Sequence, residues 1–255
     1  MRSASLRRRG RGGRPLVDRV SLSVRAGEVL GVCGLVGSGL AELEDLVSGF
    51  ARPSSGQLLL EGERLGRGTR KRYGYVPADR GRRGLCLDAT VVDNLVALDR
   101  ARYFPRGIAD LDRARAFAEA SIGRFAIAAR PESRAAHLSG GNAQKLVLAR
   151  ELAGGSPFLV VSHPTQGLDI ASSRYIAARI AEARSGGAAI LLLSPNLEEI
   201  LALSDRVAVM YRGRIVGELA RGPGLTREAL GALMLGLSPA DESAASAKED
   251  AHGRP

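Results

Sequence analysis

The chain has 255 residues, 45% of them hydrophobic, and a formal net charge of +10. That length supports one core, or a core with a subdomain. No apolar run approaches a bilayer span, no secretory signal follows the charged N-terminus, and two cysteines, Cys33 and Cys86, make neither a disulfide framework nor a metal-ligand spacing; a cytosolic protein fits.

Residues 1–14 hold Arg2, Arg7, Arg8, Arg9, Arg11 and Arg14 and no acid, which leaves +4 for the remainder. The excess charge is therefore a tail rather than a basic face, and residues 1–14 are read as an Arg-rich unstructured leader. A basic arm for nucleic acid or anionic lipid, or a transit-like segment, are the alternatives. Leu16, Val17, Val20, Leu22 and Val24 suggest an early strand over 15–24. The apolar run Val29 to Cys33 reads as a buried strand, and Cys33 as a small core residue. Gly34-Leu35-Val36-Gly37-Ser38-Gly39 follows, then a helix from Leu40 to Val47. Arg52 to Gly56 is a turn and Gln57 to Glu61 a strand.

Helices are expected over Thr90 to Leu98 and Asp110 to Phe125. Next comes Leu138-Ser139-Gly140-Gly141-Asn142-Ala143-Gln144-Lys145, where Ser139 is a good N-cap for a helix through Leu152. Glycines at a helix N-terminus let backbone approach an anion. Pro157 to Val161 reads as a parallel strand, running into Ser162-His163-Pro164-Thr165-Gln166-Gly167-Leu168-Asp169. Then come a helix over Ala171 to Ala183, a strand from Ala189 into Ser194-Pro195, and a helix over Asn196 to Leu203. Strands at Arg206 to Tyr211 and Arg214 to Leu219 turn at Arg212-Gly213. Residues 238–255, rich in Ala, Ser, Asp and Glu, read as a disordered tail.

Taken together, these segments resemble an ATP-binding cassette of the ABC transporters. Leu138 to Lys145 resembles the signature loop, Gly34 to Ala41 a P-loop between strand and helix, Ser162 to Asp169 a Walker B end followed by the D-loop, and Ser194-Pro195 the switch. The resemblance spans about residues 15–237. It implies an α/β P-loop fold with a mostly parallel sheet, an antiparallel β element and an inserted helical subdomain at about 88–150. Asn142 and Lys145, with Gly74-Tyr75-Val76-Pro77-Ala78-Asp79-Arg80, are similar to the second, C-terminal cassette of simple-sugar and nucleoside importers. Family members have an earlier strand carrying an aromatic that stacks on adenine. No aromatic precedes Phe50 here, so that strand is expected to be missing or replaced by the leader.

The same resemblance names the chemical positions. The P-loop frame is Gly34, Gly37, Ser38 and Gly39, but the phosphate-binding Lys position is Leu40 and the Mg²⁺ hydroxyl position is Ala41. The Walker B Asp position is Ser162, the catalytic Glu position His163, the switch His position Pro195 and the Q-loop position Ala78. His137 reads as a surface or packing residue. Ser139, Gly140, Gly141 and Asp169 retain the family pattern. The resemblance thus implies ATP and Mg²⁺ held weakly in the chain's own site. It implies a partner cassette whose ATP the signature caps, transmembrane permease subunits, indirectly an extracytoplasmic solute-binding protein, no nucleic acid, and a place on the inner face of the cell membrane. A conventional ATPase, a non-transport regulatory module and a decaying gene fragment are the rival readings.

Overall fold

The computed structural model describes residues 1–7, 15–65 and 73–237. It divides into two units, one built from residues 1–67 and 190–255 and the other from residues 68–189.

The first unit opens with β1 (Arg2–Leu6), which pairs antiparallel with β2 (Val17–Val20), Ala4 opposite Val20 and Leu6 opposite Val17. The other edge of β1 pairs with a later strand, Arg2 opposite Gln57 and Ser5 opposite Ser55. This corrects the expectation of an unstructured leader and a missing first strand for residues 2–6. Ala4 is fully buried and Ser5 nearly so, while Arg2 is exposed. Pairing on both sides satisfies backbone groups that a run of arginines gave no reason to expect in a ladder. Residues 8–14 of the expected leader lie outside the described residues. β2 ends at Val20, short of the expected Val24.

All five residues of β3 (Val29–Cys33) are buried, as a strand covered on both faces requires. A glycine loop leads from it into α1 (Leu40–Val47), which buries Leu40, Leu43, Leu46 and Val47. The strand expected over Gln57 to Glu61 is divided into β4 (Ser55–Gln57) and β5 (Leu59–Leu60), and β5 pairs with β6 (Glu63–Arg64). Glu61 and Gly62 both have positive φ, 52° and 83°, the backbone of a type I′ hairpin.

In the second unit β7 (Gly74–Val76) pairs in parallel with a later strand, and a π-helical turn, Arg80–Gly84, follows. Helices α2 (Val91–Val96), α3 (Arg100–Tyr103) and α4 (Leu111–Arg124) come next. Thr90 and Asp93 form a capping box at α2, and Asp110 caps α4. Val96, Tyr103 and Ala114 form a small core against Val92, Phe104 and Phe117. Helix α5 (Gly140–Ala153) precedes β8 (Phe158–Ser162), the partner of β7, and α6 (Ile170–Ser185) follows. Glu151, buried in α5, takes the Tyr75 N–H at 2.9 Å and the Arg150 guanidinium at 2.8 Å, fixing α5 on β7.

The chain then returns to the first unit through β9 (Ala189–Leu193), α7 (Leu197–Leu203), β10 (Arg206–Tyr211), β11 (Arg214–Ala220) and α8 (Arg227–Leu235). Here the order is β11, β10, β3, β9, with β10–β3 and β3–β9 parallel and β10–β11 antiparallel. The β10–β11 turn, Arg212-Gly213, has φ values of 48° and 83°. Between β3 and β10, Arg206 bonds Glu28 at 3.0 Å and Glu218 at 2.6 Å. Burial alone pushes the Glu28 carboxyl up, but bonds from Arg206 and the Arg25 N–H outweigh it and leave Glu28 below its usual value. Helix α8, absent from the sequence expectation, is capped by Thr226 and ends on Gly236 at φ 80°. The expected tail, 238–255, lies outside the described residues.

Candidate functional site

The residues named from sequence fall on both units. Gly34, Gly37, Ser38, Gly39, Leu40, Ala41 and Pro195 lie in the first; Ala78, Ser139, Gly140, Gly141, Ser162, His163 and Asp169 lie in the second.

In the first unit the glycine loop is anchored from below. Ser38 O accepts from Gly213 N at 2.6 Å, and Gly213 O accepts from Asp18 N at 2.8 Å. A Cβ on Gly39, at φ 106°, would come within 2.7 Å of Leu16 O and of Met210 Cε, so the loop's close approach to its floor requires glycine there. Gly37, at φ 83°, faces open space, and the crown beside it is exposed, with Val36 fully so. The frame that could present N–H groups to an anion is thus in place. Its charge chemistry is not: Leu40 is 7% exposed and packed in the core, and Ala41 is exposed with no oxygen to offer a metal. The loop does not fit Mg·ATP as a complete P-loop does, and no chemical step is assigned to it. Ser38 Oγ is buried without a hydrogen-bond partner. After β9, Ser194 N donates to Val32 O at 3.1 Å and Asn196 caps α7, while Pro195 between them is exposed and brings no donor.

In the second unit Ser162 ends β8 and is fully buried. His163 follows in the left-handed region, φ 45°, a conformation unusual outside glycine. Gln166 N donates to His163 O at 3.1 Å and Leu168 N to Thr165 O at 3.2 Å, so two overlapping turns carry the chain to Asp169. The Asp169 carboxylate caps α6, accepting from Ser172 N at 2.8 Å and Ser172 Oγ at 2.7 Å. The backbone bond first, and the hydroxyl bond after it, hold Asp169 below the usual carboxylate range.

Ser139 caps α5 by accepting from Asn142 N at 3.4 Å and from Asn142 Nδ2 at 3.0 Å. The glycines after it are close to neighbours. A Cβ on Gly141 would strike Ser172 Oγ, and one on Gly140 would lie 2.9 Å from Arg80 Nη2. The start of α5 is thereby set against the start of α6, which brings Ser139, Gly140, Gly141 and Asp169 into one neighbourhood. Ala78, Asp79 and Arg80 join Gly140, Gln166 and Gly167 around a cleft of about 630 Å³.

Four contributing side chains are not among the site residues named from sequence. Asn142 Oδ1 accepts from Ala128 N at 2.8 Å, and Lys145 Nζ donates to Ala126 O at 2.9 Å while lying 4.7 Å from the Tyr175 ring centroid. The two subfamily-like positions of α5 thus hold the loop after α4, and Tyr175 of α6 completes the contact. Arg80 belongs to the segment Gly74 to Arg80, which assigns it no role of its own. Gln166 and Arg80 meet through a backbone carbonyl, which no residue-type pattern reports.

Residues 17–166, more than half of the chain, match the family model described as ABC transporter. The chain is 35% identical over 208 residues to the ribose import ATP-binding protein RbsA of Bacillus subtilis, covering 79% of this chain and 42% of that protein. It is 37% identical over 230 residues to the nucleoside import ATP-binding protein NupA of Lactococcus lactis, covering 86% and 45%. The chain thus spans less than half the length of these relatives. A dimeric post-hydrolysis structure of the ATP-binding cassette MJ0796, bound to ADP and Pi, has a TM-score of 0.75 at 18% identity and covers 87% of this chain and 98% of its own. That likeness is one of fold.

Proposed function

Since the chain belongs to the ABC transporter family, we propose that it is the ATP-binding cassette of an importer for simple sugars or nucleosides, and that it supplies the signature loop to the ATP of a partner cassette. The solute class follows from the ribose and nucleoside importers it is similar to. The C-terminal-half reading follows from Asn142, Lys145 and the segment Gly74 to Arg80.

The observation that carries the reading is an asymmetry. Ser139, Gly140 and Gly141 stand at a capped, tightly packed start of α5, whereas Leu40, Ala41, Ser162 and His163 supply neither the cation, the metal oxygens nor the carboxylate base that phosphoryl transfer uses. In a head-to-tail pair the signature and Asp169 act at the partner's nucleotide, and the chain's own site binds ATP weakly. Permease subunits dock around Ala78 to Leu85 and the helices that follow, on the inner face of the cell membrane, and a solute-binding protein acts outside.

Calorimetric titration of Mg·ATP into the folded chain tests the asymmetry. No binding in the low-micromolar range is the expected result, because the lost lysine bond alone is worth about one to two orders of magnitude in affinity. Low-micromolar binding would overturn the weak-site half of the proposal.

A further inference from the structure

The residue that joins the signature to the D-loop is Arg80. Its backbone is held in the π-helical turn: Asp79 Oδ1 accepts from Arg82 N at 3.0 Å, and Arg80 O accepts from Leu85 N at 2.8 Å. Gly84 closes the turn against α5, where an added Cβ would lie 3.1 Å from Pro77 Cγ and 3.2 Å from Val147 Cγ2. π-helical turns are rare and gather at functional sites.

From this fixed base the guanidinium reaches two segments at once. Nη1 donates to Gln166 O at 3.2 Å, and Nη2 lies where a Cβ on Gly140 would be 2.9 Å away and one on Gly167 4.0 Å away. The contact with Gln166 is one hydrogen bond, and the contact with Gly140 is a close approach that leaves no room for a side chain there. The placement also sets a positive charge beside the positive end of a 14-residue helix, an unfavourable juxtaposition by itself. Helix stability therefore does not account for Arg80, whereas a bond to the D-loop carbonyl does.

We propose that Arg80 is a positioning residue that staples the D-loop at Gln166-Gly167 to the signature at Gly140, so that the two segments present a single fixed surface. Its use at a partner's ATP rests on the function proposed above; the staple itself is a property of this chain alone.

Hydrogen exchange on the full chain tests it. In Arg80→Ala the amides of Gln166 to Asp169 should exchange about tenfold faster, the weight of one charge-assisted bond, while the amides of α4 are unchanged and the thermal midpoint falls by no more than about 6 °C. Arg80→Lys, which keeps the charge on a single donor nitrogen, should recover part of the protection. Gly140→Ala, which displaces the guanidinium from the other side, should loosen the same four amides. Unchanged exchange at 166–169 in both Arg80→Ala and Gly140→Ala would overturn the staple, as would a uniform rise across the chain with a lowered midpoint. Exchange is read without nucleotide or partner, so it stands whatever the calorimetry says about ATP.

Discussion

At Cys33, fully buried in β3, the surroundings decide what the residue can do. Burial pushes the Cys33 thiol up to about 12, so it stays protonated and inert at neutral pH. Cys86 is exposed. A thiol reagent should therefore titrate Cys86 alone in the native chain and both cysteines after denaturation; rapid native reaction at Cys33 would contradict the burial of β3. Asp169 shows the opposite shift. Its carboxyl is lowered because the charged form accepts from Ser172, so this cap contributes stability above the usual Asp value of 3.8 and loses it as pH falls through the lowered one. An NMR titration of Asp169 should give a midpoint below 3.8, and Ser172→Ala should raise it.

At the scale of elements, α5 does the most positioning. Its N-cap Ser139 and its Asn142 share a bond, and Asn142 in turn holds Ala128. Asn142→Ala should cost about 1 kcal/mol, measured by urea unfolding, with faster exchange at Ala128. An unaltered Ala128 amide would mean that Lys145 and Tyr175 hold the loop after α4 without Asn142. The bounds of β3, α1 and β10 were legible from sequence because apolar periodicity and glycine punctuation coincide there. α4 was legible too, since Asp110 and Phe125 are its caps. β1 was not, since its evidence is two small buried residues, Ala4 and Ser5, among arginines. Nor was α8, whose signal, Thr226 as cap with Leu230, Leu233 and Met234 buried, is present but short and follows the glycine- and proline-containing stretch Gly222 to Gly224.

For the whole molecule, the proposed division of labour between two cassettes admits a complementation experiment. A copy carrying Leu40→Lys, Ala41→Ser, Ser162→Asp and His163→Glu regains the charged positions, and Ser139→Arg in the same copy disables its signature. Alone, this copy should release little phosphate from Mg·ATP. Adding the unaltered chain, which offers Ser139, Gly140 and Gly141, should raise release by about tenfold or more, the scale on which one transition-state donor acts. A mixture no faster than the copy alone would sink the proposed role of the signature.

What the sequence by itself determined was the bounds of β3, α1, α4 and β10 and the glycine spacing of the loop between β3 and α1. These are local properties, carried by spacing, periodicity and residue type. Only the tertiary structure decided that residues 2–6 are a paired strand, that Asn142 and Lys145 serve the loop after α4, and that Arg80 spans Gly140 and Gln166. The physical reason is the same in each case: the partner is a backbone group far along the chain, and backbone groups carry no residue identity for a pattern to detect.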